Sequence, residues 1–222
     1  MSPSGPMVRW SDDPDVRVVP MSAADEGYLA PAAEGHAELG DRGSRFLAVV
    51  LPCASEEEAR RALAGHAARH GDATHHCWAF RLGDPPRERS ADAGEPGGTA
   101  GAPILQALRS AALSDALSVV SRWFGGVKLG KGGLVRAYGG AARAAVAATP
   151  LARRIPCEEL AVALPFARLG AVKRLLRPPE VELLEELYGE RVELRLRVQR
   201  PRLAALRAAL AELGPHEIVT RS

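Results

Sequence analysis

The sequence predicts a two-domain α+β protein, and three observations carry that prediction. The chain has 222 residues, more than the roughly 100 to 150 of a typical single domain. Strand-like and helix-like stretches alternate along it, and Pro150 separates two such series. The second series runs strand, helix, strand, strand, helix, strand, which is the order of a ferredoxin-like domain. We therefore expect folded domains at 36–150 and 151–222.

The first domain is expected to mix strands and helices. Its apolar, β-branched stretch 44–51 is typical of a strand, and the capping-box spacing of Ser55 and Glu58 predicts a helix directly after it. Pro103 suits the first turn of a later helix. The expected strands are 36–41, 44–51, 74–82 and 116–123, and the expected helices follow Ser55 and occupy 103–109 and 134–148.

The second domain has a clearer pattern. Between residues 191 and 198, apolar residues alternate with charged ones, which predicts a strand with one buried face. Pro201 opens a stretch whose leucines form one helical stripe. The expected strands are 159–165, 180–187, 191–199 and 218–219, and the expected helices are 168–177 and 201–213.

Residues 1–35 are expected to form a mobile acidic extension. They contain two arginines against six acidic residues, and Pro, Ser, Gly and Asp occur without a sustained period. No function is assigned to this segment.

The composition argues against several classes of protein. No run of about 18 apolar residues is present, and Asp12, Asp13 and Asp15 interrupt the N-terminal stretch where a signal peptide would lie. We therefore expect a cytoplasmic protein without a membrane partner. The three cysteines are widely spaced and form no C-x-x-C pair, which argues against a disulfide framework and against a zinc site. No metal or cofactor is expected.

The strongest functional signal is a stretch without acidic residues. Between Ala116 and Cys157 the chain has no Asp or Glu but several Lys and Arg, so it must project a positive field. Its centre, Gly125–Gly133, follows a predicted strand and opens a predicted helix, an arrangement that points backbone amides at an anion. The residues expected to bind phosphate or nucleic acid are Arg122, Gly125, Gly126, Lys128, Gly130, Lys131, Gly132, Gly133 and Arg136.

Two other interpretations of this glycine-rich turn stay open. The spacing from Gly125 to Lys131 matches the phosphate-binding loop of nucleotide hydrolases, but Gly132 stands where Ser or Thr would hold magnesium. The other interpretation is structural: the glycines serve backbone turns and close helix packing.

A second glycine-rich segment, Gly94–Gly101, also precedes a helix, and Thr99 or Gly101 is expected to cap that helix. Glu95 is either an ion-pair partner for a basic residue or a weak candidate for a general base, and we favour the ion pair. His75 and Cys77 point to one side of a strand, and a core or interface role is favoured over metal binding. The candidate residues of this motif are His75, Cys77, Asp92, Gly94, Glu95, Thr99 and Gly101.

Several motifs, in this order and spacing, resemble those of the YigZ/Impact family over roughly residues 36–150. The 17-residue block Arg122–Tyr138 is the longest and most specific of them. Residues 151–222 are similar to the small ferredoxin-like domain of bacterial members. The other matching segments are Ser44–Leu47, Asp72–Cys77, Gly94–Gly101 and Pro103–Leu105.

The resemblance implies a first domain with the fold of a ribosomal small-subunit protein domain, shared with domain IV of elongation factor G. It implies a second domain resembling domain V of that factor. Eukaryotic Impact regulates translation by dampening the kinase of an initiation factor, an activity that depends on an extra N-terminal domain. Residues 1–35 are too short to be that domain, so the kinase role is not carried over.

Two departures from the family pattern bear on function. Ala93 replaces the second residue of the usual Asp-Asp pair, which weakens any mechanism that needs paired carboxylates. Lys131 replaces a small residue, which strengthens the interpretation as an anion site. We therefore expect a non-enzymatic regulator of translation that binds nucleic acid or the ribosome. The alternatives are an enzyme acting on a phosphorylated small molecule and a module that binds a protein partner, for which an exposed apolar patch around Trp123 and Phe124 is the expected sign.

Overall fold

The computed structural model describes residues 27–213 and the backbone of residues 217–221. A five-stranded sheet forms the N-terminal domain, in the order β2-β3-β6-β4-β5, and every neighbouring pair is antiparallel. The strands are β2 (Gly35–Asp41), β3 (Ser44–Pro52), β4 (His75–Leu82), β5 (Arg87–Ala91) and β6 (Ala116–Trp123). The helices are α1 (Glu56–Arg69), α2 (Gly101–Ser110) and α3 (Gly130–Ala148).

Helices cover both faces of this sheet, because its strands are apolar on both sides. Along β3, Phe46, Ala48 and Val50 pack with residues of α2 and α3, whereas Val49 faces the smaller cluster formed with α1. The alternation follows from the two-residue period of a strand. The larger core therefore lies between the sheet and the α2–α3 pair.

The C-terminal domain is a four-stranded antiparallel sheet in the order β11-β8-β10-β9. Its elements are β8 (Cys157–Leu164), α4 (Leu169–Lys173), β9 (Val181–Tyr188), β10 (Val192–Gln199), α5 (Leu203–Glu212) and β11 (Glu217–Arg221). This order confirms the ferredoxin-like prediction. The alternating residues of β10 are buried at Val192, Leu194, Leu196 and Val198, as their period predicts.

The structure differs from the sequence-based expectation at the domain junction. Most of the expected extension, residues 1–26, lies outside the described residues, but β1 (Tyr28–Pro31) is a strand paired with β7 (Leu151–Arg154). Asp115 holds the two strands together, because its Oδ2 accepts from the Tyr28 hydroxyl at 2.6 Å and from Arg154 Nη1 at 3.1 Å. Strand β7 was not predicted, because its four residues after Pro150 are too few to show the two-residue period of a strand.

Three other elements differ from expectation. Strand β5 was not predicted, because the stretch 87–91 contains one apolar residue and lies at the sheet edge. Helix α4 covers five of the ten residues of the expected 168–177, and Pro178 disfavours helical backbone only at Arg177, the last residue of that range. Helix α3 begins at Gly130, four residues earlier than expected, so the second half of the glycine-rich turn is helical. Among the described residues, no helix is long and apolar enough to cross a membrane.

Candidate functional site

A buried ion pair stands at the centre of the two family motifs. Arg122, near the end of β6, is 5% exposed, and its Nη1 donates to Oε1 of Glu95 at 2.7 Å. The Tyr138 hydroxyl, from α3, donates to the same oxygen at 2.8 Å. Burial, with added contributions from Cys77 and Glu95, raises the pKa of Tyr138, so the phenol stays protonated and can donate. The expected ion pair of Glu95 is therefore present, and its partner is Arg122.

Asp92 folds the loop that carries Glu95. Its two carboxylate oxygens accept from the amides of Gly98, Ala100 and Gly101 at 2.8 to 2.9 Å. Burial alone would raise the pKa of Asp92, but these amide bonds outweigh it and the pKa is lowered. Because the last two amides open α2, Asp92 caps that helix from outside it.

The expectation that Thr99 or Gly101 caps α2 is therefore wrong. The Thr99 hydroxyl donates instead to the carbonyl of Pro96 at 2.6 Å, within the loop. Gly101 is required for space, because a Cβ there would lie 2.9 Å from the backbone of Ala91. Gly94 has a φ of +94°, and His75 Nδ1 lies 3.0 Å from the carbonyl oxygen of Ala93 beside it.

Gly125 serves packing, as the structural interpretation of the glycine-rich turn predicts. A Cβ at this position would meet the backbone of Gly43 at 1.9 Å, so the β2–β3 turn and the segment after β6 are in direct contact. Ser44 joins them, because its Oγ accepts from the amide of Gly125 at 3.2 Å and from Arg122 Nη2 at 3.3 Å. Gly126 and Gly130 have positive φ values and open space around them, so they serve turns.

Next to the ion pair lies an open cleft of about 410 Å³. One side is formed by the Asp92-capped loop and the other by the start of α3. Its lining residues are Glu95, Pro96, Arg122, Phe124, Lys128, Leu129, Gly130, Lys131 and Leu134. The cleft thus brings together residues from both glycine-rich segments, including Glu95 and Lys128.

The cations predicted to bind phosphate fall into two groups. Lys128, Lys131 and Arg136 are exposed, and within the described part of the chain no hydrogen bond or ion pair engages their side chains. Arg122 is different, since it is buried and its charge is balanced by Glu95. The expectation that Arg122 lies on the binding surface needs this correction: it forms the wall behind the exposed cations. We name the three exposed residues the α3 basic end.

Cys77 and His75 face the motif loop. The Cys77 thiol donates to the carbonyl of Asp92 at 2.8 Å, and burial raises the pKa of Cys77 to about 12. A thiol this weakly acidic is a poor nucleophile. Across the residues the structure describes, no three His, Cys, Asp or Glu side chains are grouped so as to hold a metal ion.

A buried histidine cluster lies behind β6, and sequence reasoning missed it. Ser121 Oγ lies 2.8 Å from His66 Nε2 and 2.8 Å from His76 Nδ1. Burial, with the neighbouring His70 and His76, lowers the pKa of His66 to about 4. Nothing in the sequence pairs His66 with a serine 55 residues later.

The fold and this site define a class of two-domain α+β proteins in which a motif-bearing first domain precedes a small ferredoxin-like one. Residues 42–146 match the model of the Impact N-terminal domain, and residues 162–214 match a domain of unknown function, DUF1949. The chain belongs to the IMPACT family.

Relatives support this assignment along most of the chain. An IMPACT family member from Thermus thermophilus, described as lying in the pol 5′ region, is 46% identical over 70% of this chain and 84% of its own length. The IMPACT family member YigZ of Escherichia coli is 32% identical over 85% of this chain and 94% of its own. A crystal structure of a hypothetical protein superposes with a TM-score of 0.72 at 31% identity, covering 89% of this chain and 98% of that one.

Proposed function

We propose that this protein is a non-enzymatic regulator of translation that binds RNA, free or in the ribosome, through the α3 basic end. The single observation that carries the proposal is that Lys128, Lys131 and Arg136 are exposed beside the start of α3 and form no hydrogen bond or ion pair with the described residues. Family resemblance supplies the link to translation. The positive charge of these three exposed side chains supplies the link to phosphate.

The energetics favour several contacts acting together. A helix end contributes only about 0.3 to 1 kcal/mol to binding of an anion, whereas even a millimolar complex needs about 4 kcal/mol. Lysines beside that helix end must therefore contribute most of the attraction. The α3 start has no acidic residue in its first turn that would oppose an anion.

The test is the salt dependence of RNA binding. A fluorescent single-stranded oligonucleotide is titrated with wild-type protein across a series of KCl concentrations, and the slope of log K against log salt is measured. Each neutralised phosphate contributes about 0.7 to that slope for single strands. The double variant Lys128→Gln, Lys131→Gln should lose about 1.4 from the slope and bind more weakly at low salt.

A charge-matched control comes from the same domain. Arg60→Gln with Arg87→Gln removes two positive charges near Glu56, on α1 and β5, away from α3. That variant should keep the wild-type slope. An equal loss of slope in both double variants, or no RNA binding at low ionic strength, would rule out the proposed surface. Co-sedimentation of wild-type protein with ribosomes over the same salt series then tests the link to translation.

A second candidate function is an enzyme that acts on a phosphorylated small molecule. The observation that favours it is that Glu95 and Lys128 line one cleft, since a base and a phosphate-binding cation would have to converge there. The hydrogen bonding of Glu95 weighs against it. Oε1 already accepts from Arg122 and from Tyr138, so this oxygen is occupied in holding the fold.

The variant Glu95→Gln separates these two functions. A catalytic base would be lost in this variant, and turnover of a phosphorylated substrate would disappear, whereas RNA binding through the α3 basic end would persist. A panel of sugar and nucleoside phosphates, followed by mass spectrometry for product, provides the activity measurement. Turnover by wild type that vanishes in Glu95→Gln would establish the enzyme and displace the binding proposal.

A further inference from the structure

The cleft beside the α3 basic end has an apolar interior as well as a basic rim. Pro96, Phe124, Leu129 and Leu134 line it together with the charged residues already described. Its volume of about 410 Å³ lies within the range of roughly 300 to 1,000 Å³ that is typical of small-ligand sites. Phosphate alone has no use for such a lining, so the cleft fits a ligand that is flat and apolar on its faces and carries phosphate beside it.

Phe124 is the aromatic wall of the cleft. Its side chain is 47% exposed, directly after β6. The guanidinium carbon of Arg122 lies 5.3 Å from the centre of the Phe124 ring, within the range of a cation–π contact. Since Arg122 is itself fixed by Glu95, one face of the ring has a rigid support and the rest of the ring is accessible. A ring held in this way costs little entropy when a planar group stacks on it.

Arg122 also has a donor without an acceptor. Its Nε is buried and has no hydrogen-bond partner among the described residues, although Arg122 lines the cleft. A buried unsatisfied donor costs about 1 to 3 kcal/mol.

The rim of the cleft has the charge of a phosphate site. Lys128 and Lys131 line the same cleft as Phe124, and the amides of the first turn of α3 open beside them. An aromatic ring in a positively charged groove is the arrangement by which proteins hold single-stranded nucleic acid, with bases stacked on the ring and phosphates on the cations.

We propose that this cleft binds one unpaired base of an RNA strand, stacked on Phe124, while Lys128 and Lys131 hold the phosphates on either side. This inference rests on the proposed function and adds its substrate class: unpaired rather than duplex RNA. In a duplex the bases are stacked on one another and are not free to enter a cleft, so duplex RNA would contact the lysines alone.

The test compares three RNA probes with about the same number of phosphates: a single-stranded oligonucleotide, the same strand with abasic sites throughout, and a duplex of half the length. Affinities are measured by fluorescence anisotropy at one salt concentration. Loss of a stacked base costs about 5- to 150-fold in affinity. Phe124→Leu should therefore weaken binding of the intact single strand by about that factor and leave binding of the abasic strand unchanged.

Two control variants separate a loss of base stacking from a general effect of replacing a phenylalanine. Phe124→Tyr retains an aromatic ring and should bind within about twofold of wild type. Phe166→Leu removes a phenylalanine that is 53% exposed in the C-terminal domain, and it should have no effect on any probe. If Phe124→Leu weakens all three probes equally, or none of them, the base site is overturned.

The proposed function has its own signature in the same assay. Lys128→Gln with Lys131→Gln should weaken the intact and the abasic strand alike, because both carry the same phosphates. That result with an unchanged Phe124→Leu would leave the phosphate surface standing and remove the base site. A wild-type protein that binds none of the probes would remove both.

Discussion

Two basic regions of this protein differ in one respect that decides what each can do. On the C-terminal sheet, Arg195 pairs with Glu185 at 2.9 Å and with Glu159 at 3.3 Å. At the α3 basic end, Lys128 and Lys131 have no such pairing among the described residues. The charge of Arg195 is therefore balanced by its two glutamates, whereas the α3 basic end can attract an anion.

The difference arises from where acidic residues fall in the sequence. Strand β10 alternates apolar and charged residues, and its register places Arg195 opposite Glu185 and Arg197 opposite Glu182 on β9. Such cross-strand partners neutralise each other. The stretch 116–157 has no acidic residue, so the lysines at the start of α3 have no acidic neighbour within that helix that could neutralise them. The number of basic residues in a region is therefore a poor guide to anion binding. What matters is whether acidic residues lie close enough to pair with them.

The largest expected effect is at the buried pair behind the α3 basic end. Glu95→Ala leaves Arg122 buried without its partner, which should lower the free energy of unfolding by about 3 to 5 kcal/mol. Residues 151–222 contain no tryptophan, and in a Trp10→Phe background the remaining Trp78 and Trp123 both lie in the N-terminal domain, so fluorescence during urea unfolding follows that domain alone. A loss below about 1 kcal/mol would show that the pair is not the anchor of this site.

A compensating variant sharpens this result. Replacing both partners, as in Glu95→Leu with Arg122→Met, removes the buried charge together with its counter-charge. Buried pairs replaced in this way are often neutral in stability, so the double variant should recover most of the loss. The double variant should also lose the support behind Phe124 and with it any base stacking.

The next largest effect is a pH dependence confined to the N-terminal domain. The pKa of His66 falls from 6.5 to about 4, chiefly through burial, so between these values the unfolded chain binds a proton that the folded chain resists. The stabilisation is full above about pH 6.5 and is lost as pH falls toward 4, by up to about 3 kcal/mol. The pKa of His76 is also lowered by burial and adds in the same direction.

The measurement is urea unfolding by tryptophan fluorescence from pH 7.5 to pH 4.5, which stays above most carboxylate titration. His66→Gln removes the titrating group and should flatten the curve. A wild-type curve that is already flat over this range would mean that His66 is accessible to protons in the folded protein.

A smaller effect is expected at the tyrosine of the site. Tyr138→Phe removes the hydrogen bond to Glu95 but leaves that of Arg122, so the free energy of unfolding should fall by about 1.5 kcal/mol. The same fluorescence assay measures it. Because the ring still packs edge-on against Phe46 at 5.2 Å, a loss above 3 kcal/mol would point to disturbed packing instead.

Local pattern carried much of the fold prediction. Strand β6 lies at 116–123 as predicted, and the capping box works as expected in part: Ser55 Oγ accepts from the amide of Glu58. The return bond of Glu58 goes to the amide of Ala54, one residue earlier than the cap itself. Strand β1 escaped prediction because its partner β7 lies far along the chain, whereas β5 forms a hairpin with β4 and escaped because only one of its five residues is apolar.

The sequence identified the individual residues of the site but not which of them contact one another. The sequence marked Glu95 as a candidate for an ion pair and Arg122 as basic, but they lie 27 positions apart with helix α2 between them, so only tertiary packing could show that they are each other's partner. Burial of Arg122 had one detectable sign: the residues two positions away on either side, Val120 and Phe124, are apolar and share its face of the strand. The binding roles of Lys128 and Lys131 stay predictions.

The smallest expected effect lies in the other region of the comparison. Arg195→Ala breaks two ion pairs whose members are each close to half exposed, and exposed pairs contribute about 0 to 1 kcal/mol. We expect a loss of that size at most, followed by circular dichroism because the C-terminal domain has no tryptophan. RNA affinity should stay at the wild-type value, since the removed charge was already balanced by glutamates. If Arg195→Ala weakened RNA binding as much as Lys128→Gln does, an arginine paired with glutamates would still attract RNA. The distinction between paired and unpaired basic residues would then fail.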